Sequence, residues 1–308
     1  MSRSRALKAA AWGVVAAGVA APALRRRLRL RPPAVAVAAY AAPVALCVAV
    51  RRSRTRDVVT VALHMWAYLA LYEMPHDDPA VLERRVRVRY PVLIDRVLGL
   101  GELPGVRLQR ALSRPGVTTR LDAVLVWAHW LWFLVPHGTV AYLLVFHRDR
   151  FPRGAALMYA VYDLGVIVYW VLPTAPPWYA ARNGAITADP ALRRLMVEHG
   201  EAFWRERWEP LYSFLGGNPL AAMPSLHFAT SLMAALLLAD LGPLEGALGF
   251  AYAITLGFAL VHLGEHYVVD LLAGGALTLA VRRLERRAGP LLARASRAVA
   301  TVEAGAHA

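Results

Sequence analysis

Two short stretches of this chain set titratable side chains among apolar neighbours. The first is Asn218-Pro-Leu-Ala-Ala-Met-Pro-Ser-Leu-His227 and the second is Gly264-Glu-His-Tyr-Val-Val-Asp270. Ionisable groups at membrane depth are costly, which makes them functional candidates by default. Asp270 follows His266 by four residues, so the two share one face of a helix. There the carboxylate can hold one imidazole nitrogen and leave the other free to attack. Pro224 and Ser225 open a helix, and the first N–H groups of a helix together with a hydroxyl suit an anion such as phosphate. His227, two residues on, is placed to protonate a departing oxygen. Two histidines, an aspartate and an anion cradle point to phosphoryl transfer through a phosphohistidine. A second chemistry stays open, because His262-Leu-Gly-Glu-His266 fits the H-x-x-E-H pattern of a zinc peptidase. Its difficulty is the third ligand: beyond Asp270 the only carboxylates are Glu285 and Glu303, both expected on the far side of the membrane.

The elements that must position these groups follow from composition. The 308 residues are 58% hydrophobic and 18% charged, with a mean hydropathy of +0.41. A soluble domain carries about 25% charged and 45–50% apolar residues, so the surplus apolar surface needs a bilayer. Apolar runs near the roughly 20 residues that cross a membrane occur at about 8–24, 33–50, 58–73, 121–146, 153–173, 223–240, 246–263 and 268–282. The run at 8–24 is read as a membrane segment and not a cleaved signal, because the Arg-dense 25–31 follows where a small-residue cleavage site should lie. Arginines in the 146–153 loop and after Arg282 set both on the cytoplasmic side. Four crossings separate them, which puts Pro173–Pro177, Pro224–His227 and Gly264–His266 together on the extracytoplasmic face. The spans at 223–240 and 246–263 form a hairpin that returns His227 and His266 to similar depth. With the N-terminus inside, Arg25–Arg31 falls outside, so one of the first three segments is expected to lie along the interface.

Residues 74–120 read as interfacial amphipathic pieces joined by Gly and Pro turns. The expected organisation is N-terminal hydrophobic segments over 1–73, that interfacial region over 74–120, a catalytic membrane core over 121–285 and a cytoplasmic tail over 286–308. Among 35 basic residues only Lys8 is lysine, and the net charge is +14. No aromatic-interleaved basic module accompanies this charge, so no nucleic-acid partner is expected; contact with anionic membrane lipids fits it better. The single Cys47 excludes a disulfide framework and cysteine metal clusters. His129 and His137, near Trp127, Trp130 and Trp132, could line the pocket, but an aromatic belt at a membrane interface is the commoner explanation. Nothing in the sequence marks an oligomeric state.

Met-Pro-Ser-Leu-His (223–227) and His-Tyr-Val-Val-Asp (266–270), followed by Ala273-Gly-Gly275, resemble the second and third signatures of the type 2 phosphatidic acid phosphatase superfamily. Leu226 between serine and histidine, and the Glu-His-Tyr context, look more like its inositol phosphorylceramide synthase or inositolphosphotransferase branch. The resemblance covers roughly 120–285. It implies an all-α polytopic bundle with a six-helix core, five of its spans within 121–282 and a sixth at 58–73, carrying extra N-terminal segments. It makes His266 the nucleophile, Asp270 its partner and His227 the acid and base, without a cofactor or metal. The first signature, a Lys followed by Arg-Pro, is absent, and Pro173-Thr-Ala-Pro-Pro-Trp-Tyr-Ala-Ala-Arg-Asn183 stands in its place. Ala259-Leu260 replaces the Ser-Arg that precedes the third signature. Arg182 is the substitute cation for phosphate, alongside Ser225.

The resulting expectation is a lipid phosphotransferase or phosphatase, tilted to transfer of an inositol phosphate-type head group, acting on a phospholipid or other lipid-linked phosphate at the extracytoplasmic face of a bacterial plasma membrane. Hydrolysis of phosphatidic acid or a polyprenyl phosphate, a membrane zinc protease and a non-catalytic scaffold or transporter are the competing readings.

Overall fold

In a computed structural model, residues 3–114, 116–215 and 218–308 are described, and among them the regular elements are all helical, with three isolated β-bridges. The helices are α1 (Arg3–Leu24), α2 (Pro32–Ala49), α3 (Arg54–Glu73), α4 (Pro79–Arg85), α5 (Arg89–Leu98), α6 (Pro104–Leu112), α7 (Arg120–Trp130), α8 (Val135–Phe146), α9 (Phe151–Val171), α10 (Pro177–Arg182), α11 (Leu195–Trp204), α12 (Trp208–Leu215), α13 (Leu226–Ala239), α14 (Pro243–His262) and α15 (Val268–His307). Among the described residues four helices, α1, α2, α9 and α14, are long and apolar enough to cross a bilayer, and α7–α8 makes a fifth as one bent span. Val145, Phe146, Ile167, Val171, Leu248 and Ile254 are exposed, as lipid-facing residues are. The chain is an integral membrane protein.

Four of the expected spans take another form: that at 223–240 is the 14-residue α13 and that at 268–282 is the start of the 40-residue α15, neither among the helices with spanning length and composition. The segment at 58–73 is helical as α3, but Arg54, Arg56, Asp57 and Glu73 keep it outside the group with spanning composition. The 121–146 stretch, read as one continuous span, bends by 47° between Phe133 and Val135. Pro136 is the cause: it has no N–H to give to Trp132, and its ring clashes with the carbonyl four residues back. A short 3-10 turn over Leu131–Phe133 fills the break.

The chain divides into two compact units, one of residues 1–78 and 283–308, the other of 79–282. In the first, α1 and α2 approach so closely that a Cβ at Gly18 would meet Ala38 O and the Ala42 side chain at 2.5 Å; small residues let membrane helices pack backbone to backbone. Its buried Arg56 donates to Cys47 O, Val50 O and Glu303 Oε1. Arg25 and Arg26 both pair with Asp77.

In the second unit, α13 packs on α9 and α14, and the amphipathic α5 and α6 close over the same end. Val92, Leu103 and Val106 from these two helices form one core with Ala180, Ile186 and Tyr267. At the other end of α13, Asp240 receives Arg282 at 2.9 and 3.1 Å and Arg153 at 2.9 Å. The Arg282 hydrogen bonds, helped by Arg153, hold the Asp240 carboxyl below the usual carboxylate range in spite of partial burial. The 146–153 loop, the α13–α14 turn and Arg282 therefore gather at one end of this unit, and His227 lies at the opposite end of α13.

Candidate active site

Everything that fixes His266 begins at the turn between α14 and α15. The chain reverses at Gly264, whose φ of +77° favours glycine, and a Cβ there would lie 2.7 Å from Arg193 O. The amides of Glu265 and His266 both donate to Leu260 O, so the turn stays latched to the helix it leaves. α15 then starts at Val268. Its first exposed amides, of Val268 and Val269, donate to the two carboxylate oxygens of Asp95 at 3.1 and 2.9 Å. A carboxylate over a helix start satisfies orphan donors and matches the helix dipole. Burial pushes the Asp95 carboxyl up against these two amides, which favour its charged form.

The second stretch arrives as extended chain. Thr174 N donates to Leu220 O and Ala222 N to Thr174 O, which sets the Pro173–Pro177 segment beside Ala221–Pro224. On its other side the same segment pairs with Arg87, which donates to Pro173 O and accepts from Ala175. Tyr169 Oη donates to Pro224 O at 2.8 Å. Ser225 then caps α13: its hydroxyl oxygen accepts from Phe228 N at 3.3 Å and its own amide donates to Asp270 O at 3.0 Å. A Cβ at Gly274 would be 2.6 Å from Ser225 O, so a glycine on α15 lets the two motif-bearing stretches touch.

The outcome is a chain of three side chains. His266 Nδ1 is 3.2 Å from Asp270 Oδ2, and His266 Nε2 is 3.2 Å from His227 Nδ1. Asp270 Oδ2 also accepts from Tyr267 N at 2.9 Å, which fixes the carboxylate. A neutral His266 that donates from Nδ1 to an ionised Asp270 would present a lone pair at Nε2, toward His227 Nδ1. His266 and Asp270 are buried while His227 is partly open.

The α7–α8 bend supplies a wall to this pair. The Trp132 ring lies 4.3 Å and the His129 ring 5.0 Å from that of His227, and Trp132 Nε1 donates to Thr230 at 2.8 Å. The interfacial-belt reading of these two residues is therefore corrected: the bend turns them inward. His137 stacks instead on Tyr162.

His262 does not share ligands with His266. Its Nε2 is 2.7 Å from Asp122 Oδ1, both residues are fully buried, and Ser113 Oγ bonds to each. Glu265 points elsewhere and pairs with Arg194. The three members of the H-x-x-E-H pattern thus face three different partners, and among the described residues no cluster of three His, Cys, Asp or Glu is disposed around one point.

Residues 92–284 match the PAP2 superfamily. The chain belongs to that superfamily. It is 26% identical over 231 residues to the inositol phosphorylceramide synthase of Candida albicans, covering 71% of this chain and 46% of that protein. It is 32% identical over 125 residues to the inositol phosphorylceramide synthase catalytic subunit of Saccharomyces cerevisiae, covering 38% and 30%. With the phosphoinositol dihydroceramide synthase of Bacteroides thetaiotaomicron it shares 30% identity over 144 residues, 42% and 45% of the two chains. The chain spans less than half the length of these curated relatives. No solved structure matches it.

Within this PAP2 superfamily member, sequence reasoning left Asp95 and Gln109 without a role. Asp95 caps the helix that carries Asp270, and Gln109 binds both the Arg193 backbone and His262 O. Neither contact has a sequence signature, since each joins residues more than 80 positions apart; the one available signal was a polar side chain on the apolar side of an amphipathic helix. Arg182 is exposed and lies over Trp178 and Tyr179 at 5.4 and 5.5 Å.

Proposed function

We propose that this PAP2 superfamily protein is a membrane-embedded enzyme that transfers a phosphorylated head group, of the inositol phosphate kind, from a lipid donor to a lipid acceptor. The observation that carries the reading is the order of Asp270, His266 and His227, linked through the two ring nitrogens of His266 at 3.2 Å each; in the proposed reaction His266 attacks through Nε2 and His227 holds the proton. His266 Nε2 forms a bond to phosphorus as the bond from phosphorus to the donor's lipid alcohol breaks. His227 gives its proton to that leaving oxygen and Asp270 stabilises the cationic His266 ring. In the second half the acceptor hydroxyl passes its proton to His227 and attacks phosphorus, which releases His266. Ser225, whose hydroxyl proton is not used by its capping bond, and Arg182 serve as phosphate contacts. The relatives' names, all synthases of inositol phosphate-bearing ceramides, favour a ceramide-type hydroxyl over water as acceptor.

The same reading sets the site at the extracytoplasmic face of a bacterial plasma membrane. The gathering of Arg150, Arg153 and Arg282 at the opposite end of α13 supports it, because arginine-rich ends stay on the cytoplasmic side. The test is transfer from phosphatidylinositol to ceramide by purified protein in detergent with EDTA present, comparing wild type with His266→Ala. Chelator-resistant transfer that disappears in the variant is expected. Activity that EDTA abolishes, or that the variant keeps, overturns the proposal, and free inositol phosphate in place of lipid product reassigns the acceptor to water.

A further inference from the structure

Helix α5 has an apolar side that the rest of the unit leaves open. Leu93, Ile94, Val97 and Leu98 follow the spacing of one helix face and all four are exposed, Val97 at 76%. The turn after the helix extends this face with Leu100, which is 89% exposed. Leu100 has a φ of +55°, in the left-handed region that a branched side chain seldom occupies. The turn is nonetheless firmly built: Gly101 N donates to Arg96 O at 2.8 Å and Arg107 Nη2 to Gly99 O at 2.6 Å. A leucine fixed at the outermost point of a turn gains nothing from water as its neighbour.

The inward side of the same helix reaches the candidate active site. Val92 shares a core with Tyr267, and the Asp95 oxygens receive the amides of Val268 and Val269. His266 and Asp270 stand on either side of those two amides in the chain. One short helix thus joins an open apolar surface to the start of α15.

Two observations identify what covers the apolar side. The first is its level. Arg85 Nη2 donates to Trp170 O, in the last turn of the spanning helix α9, and Arg87 pairs with Pro173 and Ala175 just beyond it. Residues 85–87 are therefore held where a span leaves the hydrocarbon, at the end of α9 marked by the exposed Val171, and α5 starts two residues later. The second is charge. Arg89 and Arg96, two turns apart, line one edge of the apolar face and are exposed, with exposed Arg84 and Arg85 ahead of them. Asp95, the one acid within α5, is buried. Apolar residues edged by arginines match acyl chains beneath anionic head groups.

We propose that α5 is a docking helix for the anionic lipid surface at the site's end of the bundle, with Leu93, Val97 and Leu100 among the upper acyl chains and Arg89 and Arg96 at the head groups. Through Asp95 this docking steadies the helix start that carries Asp270. The docking rests on the membrane-spanning fold and not on the phosphotransfer reading.

The test places the full chain in nanodiscs of phosphatidylcholine with and without phosphatidylglycerol, with Cys47→Ser and an environment-sensitive fluorophore on Val97→Cys or Leu100→Cys. In anionic discs the label is expected to be quenched by lipids carrying a nitroxide on the upper acyl chain, and shielded about threefold or more from aqueous acrylamide. Neutral discs, or Arg89→Gln combined with Arg96→Gln, are expected to weaken both effects. A label open to acrylamide and blind to the nitroxide overturns the proposal. Effects that ignore phosphatidylglycerol and the arginines overturn the anionic partner, and shielding that follows protein concentration in place of lipid assigns the face to a second copy. For the link to the site, Val97→Asp combined with Leu100→Asp is expected to lower kcat for transfer several-fold in the same discs, with the melting temperature within a few degrees of wild type. Asp95→Asn is expected to lower kcat while its label stays quenched. Wild-type transfer by the undocked double variant overturns the link. Because the label reads docking directly, failure of the phosphotransfer reading would leave the quenching result standing.

Discussion

Two buried histidine–aspartate pairs have histidines one helical turn apart along this chain, and only one of them leads on to a further histidine. His266 gives Nδ1 to Asp270 and keeps Nε2 for His227, at the open edge of the site. His262, four residues earlier, turns Nε2 to Asp122 and Ser113 in a fully buried pocket, and its Nδ1 meets no hydrogen-bond partner. Composition and burial are nearly the same in both. What differs is which nitrogen the carboxylate takes and what stands beyond the ring. The first pair leads to the partly open His227, as the proposed proton transfer requires; the second ties the start of α7 to the end of α14, where Thr119 and Asp122 also form a capping box.

That comparison can be broken or sharpened by substitution. The largest effect is expected from His266→Ala, with transfer reduced about a thousandfold or more while the melting temperature in detergent stays within a few degrees of wild type. A similar loss from His262→Ala at unchanged stability would erase the distinction. Asp122→Ala reverses the profile: removing one partner of a buried pair costs about 3–5 kcal/mol, read as a large drop in melting temperature, with turnover of the protein that remains folded little changed. Asp270→Asn is expected next, about a hundredfold slower in kcat with KM nearly kept, since an amide can no longer hold His266 in the reactive tautomer. Ser225→Ala removes a helix cap worth about 1 kcal/mol; a rise in KM for the lipid donor beyond that stability change is the sign of its phosphate contact.

The smallest effect tests the far end of α13. Arg282 and Arg153 hold the Asp240 carboxyl below its ordinary value of 3.8. A depressed folded value means that the ionised form stabilises the fold; this contribution is complete above pH 3.8 and fades as pH falls through the folded value. Asp240→Asn should therefore lower stability by at most about 1 kcal/mol near neutrality and flatten the acid limb of a melting-temperature profile. An unaltered acid limb would show that the arginine cluster contributes nothing measurable.

Much of this site was legible before the structure. His227, His266 and Asp270 announce themselves because titratable groups among apolar residues are expensive, and because a spacing of four dictates a shared helix face. The hairpin between them follows from two apolar runs separated by Ala239-Asp-Leu-Gly-Pro. The bend at Pro136 was less legible: hydropathy is blind to direction, so an apolar run reads the same straight or broken. The contacts of Asp95, Gln109, Asp122 and Arg194 were not legible, because their partners lie between 71 and 174 positions away and long-range pairing leaves no local period. Arg182 was chosen by motif position alone.

The close contact between His227 and His266 also has a kinetic meaning. In the proposed reaction the 3.2 Å contact engages the nitrogen that attacks, and phosphorus reaches it only once the two rings part. On that reading the resting pair is closed to water, and a lipid donor with contacts elsewhere would open it before any bond to phosphorus forms.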